Sequence, residues 1–124
     1  MAQIDTCVAI WLYEGKKEKL SPPVIELIEN QPFQFSPMVR LELQYMFEIG
    51  RNDSDAATVV DVMRNQFGIE EAHTDFSLVV QPATAIDWTR DPFDRLIAAQ
   101  AICDDAVLVT KDRSIRQHCP NALW

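Results

Sequence analysis

The chain has 124 residues, 48% of them hydrophobic and only three of them glycine, so we expect residues 1–124 to fold as one domain rather than a disordered or low-complexity protein. The net charge of −8 excludes a protein that coats nucleic acid through a basic surface, but it leaves open a protein that meets phosphate through bound cations. No apolar run approaches the roughly 20 residues of a membrane span. Because the cysteines are scattered and no signal peptide is recognisable, we expect a cytoplasmic location.

Short apolar strands alternate with helix-start signals along the first half of the chain. Thr6 is a possible cap of the first helix, which Gly15 closes. Ser21 and Ser36 each precede proline at the first turn of a predicted helix, and Gly50 ends the second of these helices. The predicted elements are a strand at 2–5, a helix in "TCVAIWLYEG", a helix in "SPPVIELIEN", a strand in "FQFS" and a helix in "SPMVRLELQYMFEIGR".

The second half of the chain continues the alternation. Residues 53–67 form an amphipathic pattern that predicts a helix. Residues 69–88 are ambiguous between strand and helix, and we favour a helix through "SLVV". A helix then begins at "RDPFD", a buried strand is expected at 107–110, and "ALW" is a candidate edge strand. This order predicts an α/β domain with a mostly parallel sheet.

Four acidic residues occupy positions that a parallel sheet brings to one edge. Asp5 ends the first strand, Glu42 lies in the second turn of a helix, Asp94 begins another helix, and Asp112 follows the strand at 107–110. In right-handed β-α-β units, strand ends and the next helix starts share an edge of the sheet, where ligands bind. The topology therefore predicts that the four carboxylates converge.

A cluster of carboxylates without histidine or cysteine favours Mg²⁺ or Mn²⁺ over zinc. Such ions can activate water and stabilise the leaving oxygen of a phosphodiester. Taken singly, however, each acid has a structural interpretation. Asp91, Pro92 and Asp94 match the N-cap, first and third positions of a helix, Asp5 and Asp112 can also cap helices, and Glu42 can be a solvated helix residue.

Three sequence blocks resemble the PIN-domain family, and more narrowly the VapC-type toxins of toxin–antitoxin pairs. They are "IDTCVAIWL", "SPMVRLELQYMFEIGR" and "RDPFDRLIAAQAICDDAVLVTKD", and the match covers essentially the whole chain. The order and spacing of the blocks are more specific than any one of them. The resemblance implies a three-layer α/β/α sandwich and a Mg²⁺- or Mn²⁺-dependent endoribonuclease that hydrolyses RNA.

The resemblance also assigns roles to residues. The family's catalytic and metal-binding acids fall on Asp5, Glu42 and Asp94, with Asp112 as the fourth. Thr6 and Asp91 are expected to support the site or to cap helices. Possible phosphate contacts come from a group of cations around the third block, of which most are expected to be solvated: Arg90, Arg95, Lys111, Arg113 and Arg116.

A cognate antitoxin and a homodimer are the partners that the resemblance implies. Trp11, Tyr13 and Phe47 are either core residues or part of such an interface. The alternative function is a non-catalytic PIN-like module that binds a basic protein partner, with acids that only cap helices.

Overall fold

The computed structural model describes residues 1–124 as a five-stranded sheet with seven α-helices. The strands are β1 (Ala2–Ile4), β2 (Phe33–Phe35), β3 (Glu70–Glu71), β4 (Val107–Val109) and β5 (Ala122–Leu123). The helices are α1 (Thr6–Glu14), α2 (Pro22–Asn30), α3 (Pro37–Glu48), α4 (Ala56–Phe67), α5 (Phe76–Ala85), α6 (Pro92–Cys103) and α7 (Arg113–His118). A short 3₁₀ helix, Lys17–Lys19, follows α1.

The sheet has the strand order β3-β2-β1-β4-β5, and every pair of neighbouring strands is parallel. Ile4 of the central strand lies opposite Phe35 on one side and Val109 on the other. The three strands therefore end level with one another, at the edge where α1, α3 and α7 begin. The α/β fold with a parallel sheet that the sequence predicts is confirmed.

The helices form two layers because successive strands are added first on one side of β1 and then on the other. The chain runs from β1 outward to β3, and then returns across the sheet to β4 and β5. Right-handed crossovers place α1–α4 on one face and α5–α7 on the other. Within the layers, α1 and α3 pack against α4, and α5 packs against α6. The central strands β1, β2 and β4 are mostly apolar and largely buried, as the inner layer of a sandwich requires.

The predicted serine and aspartate caps account for three of the helix starts. Ser21 and Ser36 accept hydrogen bonds from the backbone of α2 and α3, and Asp91 does the same for α6. The expectation that Thr6 caps α1 is wrong. Asp5 holds the extended backbone of an N-cap and its Oδ1 accepts from the Thr6 N–H at 2.7 Å, so Thr6 is the first helical residue.

The strands predicted at 2–5 and 107–110 each end one residue earlier, and two further segments differ more from the predictions. The helix predicted at 53–67 begins only at Ala56, because Asp55 is its N-cap and accepts from the Thr58 N–H. The ambiguous segment contains the predicted helix, α5, but also β3, which the sequence analysis does not anticipate. The predicted edge strand at the end of the chain is β5, paired with β4.

All three cysteines are free thiols: Cys7, Cys103 and Cys119. None of the helices combines the length and the apolar character needed to cross a membrane.

Candidate active site

The carboxyl-terminal edge of the sheet opens into a cavity of about 810 Å³. Five carboxylates and two cationic side chains line it, so its charge is strongly negative. The carboxylates are Asp5, Glu42, Asp91, Asp94 and Asp112, and the cations are Arg51 and Lys111. The four acids that the sequence singles out thus surround one cavity, and Asp91 joins them.

Asp5 forms the floor of the cavity and is only 7% exposed. Its Oδ1 accepts from the Thr6 N–H, and its Oδ2 accepts from the Thr110 hydroxyl at 2.6 Å. Burial raises the pKa of Asp5. The two hydrogen bonds lower this pKa, whereas the nearby charges of Asp112 and Asp91 raise it further. Thr110 comes from the end of β4, so two adjacent strands fix this carboxylate.

Glu42 reaches the cavity from the second turn of α3 and is half-buried. The Thr6 hydroxyl donates a hydrogen bond to its Oε1 at 2.5 Å. Burial raises the pKa of Glu42, while that hydrogen bond and the charge of Arg51 oppose the increase. Thr6 therefore contacts two carboxylates: its hydroxyl donates to Glu42, and its backbone N–H donates to Asp5.

Asp94 and Asp91 lie in the first turn of α6, which Asp91 caps through hydrogen bonds from the Phe93 and Asp94 N–H groups. Carboxylate oxygens of Glu42, Asp91 and Asp94 all lie within 4.8 Å of one another. Burial and the neighbouring charge of Asp91 raise the pKa of Asp94 to about 7. Asp91, which the sequence predicts as a helix cap, therefore belongs to a group of three carboxylates spaced closely enough to share a metal ion.

Asp112 also lines the cavity and is exposed. Its Oδ1 accepts from the Ile115 N–H at 2.9 Å, so it is the N-cap of α7. Its charge contributes to the raised pKa values of Asp5 and Asp94. The structure thus places Asp112 near the other acids and gives it a capping role as well.

The predicted phosphate contacts are distributed differently. Lys111 lines the cavity, whereas the guanidinium of Arg95 donates to the Ile86 carbonyl through both Nε and Nη2 and lies outside the lining. Arg113 and Arg116 line a separate shallow depression on α7. Arg90 lies outside both.

Arg51 is the cavity residue that the sequence analysis misses. It follows the end of α3, is exposed, and lies close enough to Glu42 to lower the pKa of that carboxyl. Its position in the "EIGR" ending of the second block offered a signal. The left-handed backbone of Gly50 ends the helix and lets the chain turn back, which a helix pattern alone does not reveal.

The lining chemistry suits a hard divalent cation. Its donors are carboxylate oxygens, and the carboxylates outnumber the cations, so a bound Mg²⁺ or Mn²⁺ would relieve the mutual repulsion. Cys7 also lines the cavity, but burial raises the pKa of its thiol to about 12, so it stays protonated and is a poor ligand. Glu42, Asp91 and Asp94 are spaced to share one ion.

Comparisons with known proteins agree with this fold. No curated protein sequence matches the chain. Among solved structures it is similar to the crystal structure of VapBC2 from Rickettsia felis bound to a DNA fragment from their promoter, with 19% identity and a TM-score of 0.69. That likeness covers 98% of this chain and 95% of the other, and it shows a shared fold. A family model of the PIN domain matches residues 2–119, so the chain belongs to the PIN domain family.

Proposed function

We propose that this protein is a Mg²⁺- or Mn²⁺-dependent endoribonuclease, and that it is the toxin of a toxin–antitoxin pair. The observation that carries the proposal is the meeting of Glu42, Asp91 and Asp94 within 4.8 Å at the edge of a cavity whose floor is Asp5. Membership of the PIN domain family and the shared fold with VapBC2 support it.

The side chains around the cavity divide the work as follows. Asp5, Glu42, Asp94 and Asp112 hold the metal, and Asp91, the cap of α6, offers a further carboxylate oxygen beside those of Glu42 and Asp94. A bound Mg²⁺ or Mn²⁺ would supply Lewis-acid activation of water and of the scissile phosphate. The orientation of these carboxylates comes from the hydroxyls of Thr6 and Thr110, which donate to Glu42 and Asp5 respectively.

Lys111 and Arg51 contact the phosphate in this proposal, because they are the two cations that line the cavity. A guanidinium donates to two phosphate oxygens at once, and an ammonium acts as a point charge. The phosphate of RNA approaches five carboxylates, so these cations and the metal must together offset the repulsion. Arg113 lies on the neighbouring helix and is a more distant contact along the strand.

A protein partner and a homodimer are further parts of the proposal. Leu41, Tyr45 and Ile49 are 54%, 48% and 47% exposed and follow one another at intervals of four along α3 and its C-cap. Phe47, a predicted interface residue, is 39% exposed, whereas Trp11 and Tyr13 are half-buried against the core. An exposed apolar stripe of this kind supports a protein interface. The free cysteines are consistent with a cytoplasmic location.

The second candidate is a PIN-like binding module without catalysis. It is favoured by the fact that Asp5, Asp91 and Asp112 all cap helices, so the fold itself accounts for three of the acids. This module would bind a basic protein and would show no defined metal stoichiometry.

The direct test is cleavage of RNA by the purified protein with Mg²⁺ or Mn²⁺, compared with the same reaction in EDTA. We expect cleavage only with the metal, and we expect Asp5→Asn and Asp94→Asn to reduce it below detection while circular dichroism shows a folded protein. Asp61→Asn on α4, outside the cavity, is the matched control and should retain full activity.

Calorimetric titration with Mn²⁺ separates the two candidates. The nuclease predicts a defined stoichiometry that Asp94→Asn removes, and the binding module predicts only weak surface binding. Cleavage that survives both active-site substitutions would show that the site is assigned wrongly.

A further inference from the structure

Trp11 lies beneath two ammonium groups. The Nζ of Lys19 lies 5.6 Å from the centroid of its ring, and the Nζ of Lys111 lies 5.8 Å from it. Trp124 packs beside the same ring, with centroids 5.7 Å apart and planes tilted by 59°. The indole is half-buried and packs against the core, so it is held in place while the two lysines are exposed. We call Trp11, Lys19 and Lys111 the indole patch.

Neither lysine of the indole patch forms an ion pair, although the chain carries 19 acidic residues. Three of the chain's 11 cations form ion pairs, Lys16 with Glu14, Arg40 with Glu71 and Arg64 with Glu70, and both patch lysines belong to the eight that do not. In a protein with a net charge of −8, two unpaired ammonium groups on one aromatic ring form a local region of positive charge. This charge is opposite to that of the cavity.

The indole patch is continuous with the cavity, because Lys111 belongs to both. Lys111 lies two residues after the end of β4 and directly precedes Asp112, so its backbone lies beside the carboxylates while its ammonium reaches Trp11. A ligand that occupies the cavity through a phosphate therefore meets this patch next.

We propose that the indole patch binds the RNA strand beside the cleaved phosphate, with a nucleobase stacked on Trp11 and adjacent phosphates on Lys19 and Lys111. The inference rests on the proposed ribonuclease function. Aromatic rings accept any base because every base has a π-face, and lysines beside the ring supply the charge that the backbone needs. The long lysine tails can swing from the ring to a phosphate when the base arrives.

Binding is tested with a fluorescein-labelled, mixed-sequence RNA of about twelve nucleotides, within the range of single-strand site sizes. Anisotropy titrations use the full chain carrying Asp94→Asn in EDTA, so that no cleavage occurs and binding at the patch is measured apart from the metal. In this background Trp11→Leu should weaken binding about tenfold, because one stacked base is lost. Trp11→Phe keeps an aromatic ring in the core and should weaken binding less, which guards against a loss caused by misfolding.

The lysine arm uses Lys19→Gln and, as its matched control, Lys17→Gln in the same 3₁₀ helix. Lys19→Gln should lower the slope of log affinity against log salt by about 0.7, the value for one phosphate contact on a single strand. Lys17→Gln removes the same charge two residues away and should leave the slope unchanged.

Equal affinities for Trp11→Leu and its parent, or equal slopes for the two lysine variants, would overturn the inference. So would a loss of affinity for an acidic peptide in Trp11→Leu with unchanged affinity for RNA, since the patch would then bind protein. A wild-type protein that binds RNA through the patch but cleaves none would overturn the nuclease proposal alone, so the two failures are distinguishable.

Discussion

The pKa of Asp94 reflects the crowding of carboxylates in the cavity. Its pKa is raised to about 7 by burial and by the charges of Asp91, Asp5, Asp112 and Glu42. Without a cation, ionising this carboxyl in the folded protein means adding one more negative charge to the group. The same carboxyl in the unfolded chain titrates near 3.8.

The stability of the metal-free protein should therefore depend on pH. The pKa of Asp94 is higher in the folded than in the unfolded protein. Its contribution to the free energy of unfolding is therefore fully present below about pH 4 and is lost as the pH rises through about 7. We expect the free energy of unfolding in EDTA to fall over this interval, and to fall less in Asp94→Asn.

Urea unfolding at several pH values between about 4 and 8 measures this difference. Asp94→Ala serves as a second uncharged variant, and its profile should have the shape of the Asp94→Asn profile. If the wild-type and Asp94→Asn curves ran parallel, the carboxyl of Asp94 would not be the group that loses stability.

The sequence predicts which four acids surround the cavity, because strand ends and helix starts share one edge of a parallel sheet. It does not predict how close they come. Asp91 and Asp94 are at the N-cap and third positions of α6, so both side chains gather at the same helix end. That proximity follows from the capping motif, but the meeting with Glu42 depends on the packing of α3 against α6. The placement of Arg51 in the cavity depends on the turn after α3, which the helix pattern does not specify.

At the scale of the elements, α3 positions Glu42, and Ser36 fixes where α3 begins. Ser36 is 2% exposed, and its Oγ accepts from the Met38 N–H at 3.1 Å. Ser36→Ala should lower the free energy of unfolding by about 1 kcal/mol, because a backbone donor loses its partner. Chemical denaturation measures this change.

Ser21→Ala is the natural comparison for Ser36→Ala. Both serines precede proline and cap a helix, but the Ser21 bond to the Val24 N–H is longer, at 3.4 Å, and Ser21 is only half-buried. We expect a smaller loss of stability for Ser21→Ala. A larger loss would mean that burial and bond length do not decide the strength of these caps.

The element that the sequence analysis misses, β3, shows the limit of pattern reading. It has two residues, both glutamate, and residues of that type are uncommon in strands. β3 lies at the edge of the sheet and pairs with β2. The N–H of Ala72, the residue after β3, donates to the Phe35 carbonyl of β2. Longer elements with a cap and an apolar pattern were predictable, because their own residues specify them.

At the scale of the whole molecule, a divalent cation should act as a stabilising ligand. A ligand at a hundred times its dissociation constant adds about 2.7 kcal/mol to the free energy of unfolding. We expect Mn²⁺ to raise the stability of the wild type in this way and to have little effect on Asp94→Asn. Urea unfolding with Mn²⁺, against NaCl at equal ionic strength, checks it. Equal stabilisation of both proteins would indicate binding elsewhere on the acidic surface.

The central place of β1 has a consequence for the order of events during synthesis. Asp5 emerges first from the ribosome, yet the hydroxyl that holds its Oδ2 belongs to Thr110, 105 residues later. The cavity is bounded by α6, Lys111 and Asp112 as well, so an incomplete chain contains acids but no assembled site. Contacts so distant along the chain form slowly. The proposed nuclease centre would therefore assemble only after Asp112 has been synthesised, and a protein that binds the early helices would have time to act before the cavity forms.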